Sequence, residues 1–463
     1  MSTNLDVSLV VELRAAGVSH AYAASDPEYT SALLGFNRDI THTPELVVVP
    51  QSANDVTATV TLANRHGLPL QVLGKGHGAQ AAVTEGIAVA TDGLAFVEVD
   101  PAARTARVGA GATWTDVLDA AAPHGLAALC GSAPHVGVVG YLLGGGIGPV
   151  ARTFGFAADH VRCINVVTAD GGLVRADAEF NQDLFWALRG GKGGFGVVVE
   201  VEIDLIPLST LYGGALYYAA EDAAAVLRTF AEWSHDLPDE MTTSVAMLRL
   251  PPLPELPEPL RGRFVCAVRI GYVGAADDAE ALMAPLREVA RPLIDAVGVM
   301  PYQEIGSIHA DPVNPMPVME GGILLHSFTA AAADALLAVA GPNADVPLAA
   351  VEVRLLGGAL ARTPEPDNAV GGRGAAYSLH VVGAPVPELL HTVIPEVIDT
   401  VFTTMGGWRS LSTQINFFGR ANRPIPGTPV TSWAPDVAAR LREVRRKHDP
   451  AGRFPYPLHG EAI

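Results

Sequence analysis

Two glycine-rich segments constrain this chain more than anything else in it: GKGHG at Gly74 to Gly78 and APHVGVVGYLLGGGIG at Ala133 to Gly148. Glycine has no Cβ and takes positive φ freely, so such runs let a backbone press closely against a flat partner. The first run closes a β-α-β pattern. Glu45 to Pro50 is a short apolar strand, Ser52-Ala-Asn-Asp55 is a capping box that opens a helix ending at His66 and Gly67, and Leu68 to Leu73 is the next strand. His77 therefore sits beyond a strand end, where ligands of α/β sheets collect. Its glycine neighbours leave the imidazole free for chemistry.

Further short strands are predicted at Ile87 to Thr91, Phe96 to Val99 and Thr105 to Val108. Thr113-Trp-Thr-Asp116 forms a second capping box, and its helix stops at Pro123 to Gly125. After the second glycine-rich segment, Val161 to Thr168 and Leu173 to Ala176 form a hairpin turned by Ala169-Asp-Gly-Gly172. Beyond Leu211 the pattern changes to longer strands, Ser244 to Leu250, Arg263 to Val273, Leu348 to Leu356 and Ala376 to Val382. Helices alternate with them at Ala275 to Val289, Ala330 to Val339 and Val386 to Thr404, and Ala434 to Lys447 is amphipathic. This is an α+β arrangement, with helices covering one face of a mostly antiparallel sheet.

The charge balance excludes several functions. The 463 residues carry 30 basic and 49 acidic side chains, a formal charge of −19, and such a surface repels nucleic acid and anionic membranes. Three widely spaced cysteines, Cys130, Cys163 and Cys266, supply neither a disulfide framework nor a zinc site, which favours a reducing compartment. The N-terminal residues lack a basic leader and no apolar run reaches the roughly 20 residues of a membrane span. A cytoplasmic protein acting on a small molecule, with no bound metal, is expected; oligomeric state is unreadable.

GKGGFG at Gly191 to Gly196 matches the dinucleotide fingerprint G-x-G-x-x-G letter for letter. That fingerprint must open a helix so that the diphosphate meets a helix N-terminus. Here Val197 to Leu205 follows, an alternating β-branched strand, so the fingerprint fails on context. Neither Gly-Lys pair has the upstream glycine of a Walker loop.

With Asp183-Leu-Phe-Trp-Ala-Leu-Arg-Gly-Gly191 leading into Gly194-Phe-Gly-Val-Val198, three segments stand in register. Together they resemble the FAD-linked oxidases of the vanillyl-alcohol oxidase and berberine-bridge-enzyme-like family, and within it the compact bacterial branch of 6-hydroxy-D-nicotine oxidase and the enterocin-pathway flavoenzyme. The likeness is strongest from Val47 to Pro207, moderate at Val351 to Gly358, Asn416 to Phe418 and the last thirty residues, and weakest between Leu211 and Asp345. It implies a two-part FAD domain of PCMH type over residues 1–210, a substrate domain over 211–415, and a C-terminal segment, 416–463, that returns to the FAD domain.

The resemblance also implies a site. His77 takes the place of the histidine bonded to the flavin 8α-carbon, which requires a neutral imidazole. Gly74, Lys75, Gly76, Gly78 and Ala79 cradle the pyrophosphate, Lys75 either touching it or facing solvent. Pro134, His135, Val136 and Gly137 lie along the flavin ring, and Gly140, Gly144, Gly145, Gly146 and Gly148 wrap phosphates and ribityl chain. Gly196 and Val198 meet the adenine half, and Asn416 lies near the flavin. Ala133 stands where some members have a second, cysteinyl link, so a single histidyl bond is expected. Val136 occupies the oxygen-gate position, where a β-branched residue favours an oxidase.

On the substrate side, the strand Ala350-Val-Glu-Val-Arg354 sets Glu352 and Arg354 on one face. They are either a solvated surface pair or, as the resemblance implies, a general base and its neighbouring cation. Tyr141 and His135 either bond a substrate hydroxyl or are packed core. The expected reaction is oxidation of a carbon bearing a hydroxyl or amine, with O2 reduced to H2O2. The alternative is a flavin-dependent oxygenase that tailors a polyketide.

Overall fold

The computed structural model describes residues 3–419 and 432–456, arranged around three sheets. The first contains β1 (Ala21–Ala23), β2 (Leu46–Val48), β3 (Leu70–Leu73) and β4 (Ile87–Ala90), in spatial order β1-β2-β4-β3. β4 runs parallel to both β2 and β3. Parallel neighbours need a long crossover, and the helix Ala53–His66 provides it between β2 and β3. The Ser52 hydroxyl accepts the Asp55 N–H at 3.2 Å to start that helix, and Gly67, at φ 71°, ends it.

The second sheet is antiparallel: β5 (Val97–Asp100), β6 (Thr105–Gly109), β7 (Val161–Val167), β8 (Leu173–Asp177) and β9 (Val197–Asp204), in order β5-β6-β9-β7-β8. GKGGFG leads into β9, as its context required. Leu441 and Val444 of the helix Pro435–His448, with Phe454, share one core with these two sheets.

The third sheet has eight strands: β10 (Thr210–Ala219), β11 (Met241–Arg249), β12 (Phe264–Tyr272), β13 (Ile294–Asp295), β14 (Gly298–Pro301), β15 (Glu320–Leu325), β16 (Leu348–Leu355) and β17 (Tyr377–Gly383). Its order is β13-β10-β12-β11-β16-β17-β15, with β14 also on β10. One face carries Leu216, Val245, Val268, Val353 and Leu379, buried under the helices Ala223–Trp233, Ala276–Val289, Ala330–Ala340 and Val393–Thr404. The antiparallel register builds the other face in rows. One row reads Tyr217, Ala267, Ala246, Glu352, His380, Gly322; the next reads Ala215, Arg269, Ser244, Arg354, Ser378, Leu324. This face meets the second glycine-rich segment: a Cβ on Gly271 would lie 2.3 Å from the Pro149 carbonyl oxygen.

Three details differ from the expectations. β10 and β15 escape the strand pattern because Gly213-Gly214 and Gly321-Gly322 interrupt it. Val386 to Thr404 divides into Pro387–Leu390 and Val393–Thr404. Asn416, expected on a strand, belongs to the short 3-10 turn Ile415–Phe417. Residues 420–431 and 457–463 of the expected C-terminal segment lie outside the described residues. Among the described residues no helix is long and apolar enough to cross a membrane.

Arg152 clasps the two halves. It follows the glycine-rich segment, is buried, and donates to the carbonyls of Met241 at 2.7 Å, Leu237 at 2.9 Å and Leu356. Arg152→Met leaves those carbonyls unsatisfied and is expected to cost about 3 kcal/mol or more, read as a lowered denaturation midpoint.

Candidate active site

A cavity of about 490 Å³ runs between the first two sheets and the polar face of the third. This is the size range of cofactor and ligand pockets. His77 lies in its wall, placed by a close backbone approach. Gly76 has φ +78°, and a Cβ there would come within 2.7 Å of the Gly35 Cα. The Phe36 N–H donates to the Lys75 carbonyl at 2.8 Å, and the Phe36 ring stacks on His77 with centroids 4.0 Å apart and planes 17° apart. His135 stands on another side, centroids 4.8 Å away.

Both ring nitrogens of His77 are buried without a hydrogen-bond partner. Burial, helped by the nearby His135, lowers its pKa to about 3. The ring is therefore neutral at physiological pH and keeps a lone pair for a ligand. Positions Gly74, Gly78 and Gly140, which line the cavity, have nothing within 4 Å of where a Cβ would stand. Side chains there would fill the space open to a ligand.

Gly76, Ala79, Val136, Gly137, Gly196, Val198 and Asn416 also line the cavity. Lys75 lines it too, but its ammonium pairs with Asp92 at the surface, an arrangement worth little energetically. Pro134, His135, Gly144, Gly145, Gly146 and Gly148 do not line it. The last three glycines of that set, with Gly144, make room for neighbouring groups. A Cβ on Gly144 would lie 2.0 Å from Asn416 Oδ1; on Gly146, 2.3 Å from the Tyr141 ring; on Gly148, 1.9 Å from the Cys130 carbonyl oxygen; on Gly145, 3.2 Å from Val370. The glycine triplet thus seats Tyr141 and Asn416, which are the groups that reach the cavity.

Tyr141 lines the cavity with its hydroxyl buried and unpartnered. Burial raises its pKa well above the usual phenol value, so it is a hydrogen-bond donor and not a proton acceptor. Glu352 and Arg354 share one face, as expected, but neither is a cavity group. Glu352 accepts from Arg269 at 2.8 Å, Arg354 at 2.9 Å and the Ser244 hydroxyl at 2.6 Å, with His309 Nε2 at 3.3 Å. Against the cost of its burial, Arg354 and Arg269 hold its pKa well below the usual carboxylate range. With both oxygens engaged, Glu352 is a structural charge centre and a poor general base, which corrects the role expected of it. Arg354 is correspondingly its ion-pair partner.

Three cavity residues, Glu320, His380 and Lys192, were not assigned a place in the site by the sequence. His380 Nε2 lies 3.1 Å from Glu320 Oε2, and both residues line the cavity wall beside Phe417. Glu320 sits on the glycine-interrupted β15, and the direction of His380 needed the strand register. Lys192 also lines the cavity, bonding Gly140 and Asn416.

A family model described as FAD binding domain matches residues 44–177. (R)-6-hydroxynicotine oxidase of Paenarthrobacter nicotinovorans is 30% identical over 277 residues, 58% of this chain and 58% of that protein, so the match spans little more than half of that relative. Crystals of 6-hydroxy-D-nicotine oxidase from Arthrobacter nicotinovorans contain the same fold, with a TM-score of 0.80, 24% identity and coverage of 96% of this chain and 98% of that one. The berberine-bridge-enzyme-like protein 1 of Physcomitrella patens aligns with a TM-score of 0.82 at 20% identity, over 98% and 100% of the two chains. Residues 44–177 thus match an FAD-binding domain, and the chain has the PCMH-type fold of the berberine-bridge-enzyme-like structures. The cavity fits FAD: it is lined by glycines that leave room for a ligand, and its wall holds an imidazole whose nitrogens lack partners.

Glu352→Gln removes the charge that compensates Arg269 and Arg354, and a loss of about 3 kcal/mol or more in stability is expected. A midpoint within error of wild type in urea would refute the structural role. In the apoprotein, His77 binds its proton only near pH 3, whereas an unfolded histidine binds it near 6.5. Stability from this site is therefore complete above pH 6.5 and declines as pH falls toward 3. Imidazole NMR of the apoprotein is expected to show no His77 titration between pH 5 and 8.

Proposed function

We propose that the chain is an FAD-linked oxidase. It holds flavin through one bond from His77 and oxidises a hydroxyl- or amine-bearing small molecule, with O2 taking the electrons as H2O2. The observation that carries this reading is the pair of buried, partnerless His77 nitrogens in the cavity wall. Such atoms are rare because they forfeit hydrogen bonding to water without replacement. A covalent partner removes that deficit. With FAD bound, His77 would hold it through one ring nitrogen, the imidazole N–H and one C–H of the flavin 8α-methyl group giving way to an N–C bond. The two hydrogens would leave with O2 as H2O2. Cys130 is fully buried and Ala133 offers no sulfur, so the link is single.

When bound, FAD supplies the two-electron acceptor that protein side chains lack. The protein's part is position and proton transfer. With His380 donating its Nε2–H to Glu320, Nδ1 is left to take the substrate's hydroxyl or amine proton, and Glu320 orients and stabilises the resulting cation. Tyr141, a donor, bonds the substrate oxygen or nitrogen. The bacterial relative, a hydroxynicotine oxidase by name, supports the oxidase class and an amine among the candidate substrates.

The experiment is a denaturing gel viewed for flavin fluorescence, with intact masses of wild type and His77→Ala. A fluorescent band and an FAD-sized increment that vanish in the variant are expected; colour released on denaturing the wild type would sink the covalent link. With a compound that bleaches the wild-type flavin, His380→Ala is expected to slow bleaching about a hundredfold at unchanged flavin content. Reactions under isotopically labelled O2 are expected to place label in peroxide alone, and label in the organic product would overturn the oxidase reading in favour of an oxygenase.

A further inference from the structure

Lys192 is placed where a lysine is least expected. Between the helix Gln182–Leu188 and β9, positive φ recurs at every second residue: Gly190 (114°), Lys192 (65°), Gly194 (92°) and Gly196 (135°). The N–H groups of Gly190 and Lys192 both donate to the Leu143 carbonyl, at 3.1 and 2.8 Å, so this turn closes around a protein acceptor and leaves the Lys192 side chain as its group for a ligand. Lys192 is the one member of the set with a side chain, held in a conformation that strains any residue but glycine.

The side chain has no carboxylate to explain it. Its ammonium donates to the Gly140 carbonyl at 2.8 Å and Asn416 Oδ1 at 2.6 Å, both neutral, and no salt bridge to it is found among the described residues. An ammonium has three donors, so one remains. Burial lowers its pKa to about 8, which still leaves it charged at neutral pH. Lys75, in the same cavity wall, is by contrast paired with Asp92. Behind the loop, Arg445 is buried over the Phe195 ring and donates to the Gly193 carbonyl at 2.7 Å, adding positive potential to the same segment. A chain of formal charge −19 has thus concentrated buried positive charge at one stretch of the cavity.

We propose that Lys192 is the counter-charge for the diphosphate of the bound dinucleotide. This rests on the FAD reading above. A diphosphate is anionic in every oxidation state of the cofactor and therefore matches a cation that no carboxylate among the described residues answers. The strained backbone at Lys192 is tolerated because the charge is needed at that place. This assigns to Lys192 the phosphate contact that the sequence suggested for Lys75.

The test uses His77→Ala protein, in which the cofactor exchanges, alone and combined with Lys192→Gly, Lys192→Met or Lys192→Arg. Folding is checked by circular dichroism, and FAD, ADP and riboflavin are titrated by calorimetry. Lys192→Gly and Lys192→Met are expected to weaken FAD and ADP about tenfold or more, the scale of one charge-assisted hydrogen bond. Riboflavin binding should be unchanged, and Lys192→Arg should restore much of the loss. Lys192→Gly should also raise the melting temperature of the apoprotein, because glycine relieves the positive φ. Unaltered FAD and ADP affinity overturns the proposal, and weakening confined to riboflavin overturns it by placing Lys192 at the flavin ring. If the His77→Ala parent binds neither FAD nor ADP, the FAD reading itself fails.

Discussion

The close approach of Gly76 to Gly35 governs the site. Because neither residue has a Cβ, two loops touch backbone to backbone, and the Phe36 N–H reaches the Lys75 carbonyl. That contact lays the Phe36 ring flat on His77 and shuts the imidazole away from water. A histidine in such a place is held neutral and unsatisfied, and both properties follow from the packing. The surrounding glycines leave open the volume into which that imidazole looks.

The electrostatics are divided between two regions. On the polar face of the third sheet, Glu352, Arg269, Arg354 and His309 satisfy one another, so a cluster that resembles catalytic machinery on paper is internally closed. Charges inside the cavity wall are less completely answered. His380 and Glu320 form an isolated pair beside Phe417, and Lys192 meets only neutral dipoles. The difference matters because a buried group already neutralised by partners has little left to offer a substrate, whereas an incompletely answered one is complemented by a ligand.

Sheet register connects the two regions. Side chains alternate faces with period 2, so a single register sets Glu352 beside His380 and Arg354 beside Ser378, while Val353 and Leu379 turn to the helices. Arg152 then docks this sheet on the glycine-rich segment through carbonyls contributed from distant parts of the chain. Glycines 144, 146 and 148 belong to the same docking. They admit Asn416, the Tyr141 ring and the Cys130 carbonyl, so their sequence signal reflects packing around the cavity and not its lining.

The sequence by itself determined the local chemistry. Capping boxes at Ser52 and Thr113, the crossover helix, the strand after GKGGFG and the glycine cradle around His77 were all legible, because each depends on neighbours a few residues apart. The carboxylate on Ala350 to Arg354 was legible too, but its role was not. Whether Glu352 is free depends on Arg269 and His309, which are distant in sequence and adjacent only across the folded sheet. The same holds for Glu320 beside His380, for Phe36 on His77, and for Lys192 at Asn416. A one-dimensional pattern records the faces of elements and the freedom of glycine; partners, burial and the pKa of a group are set by atoms that only the tertiary structure brings together.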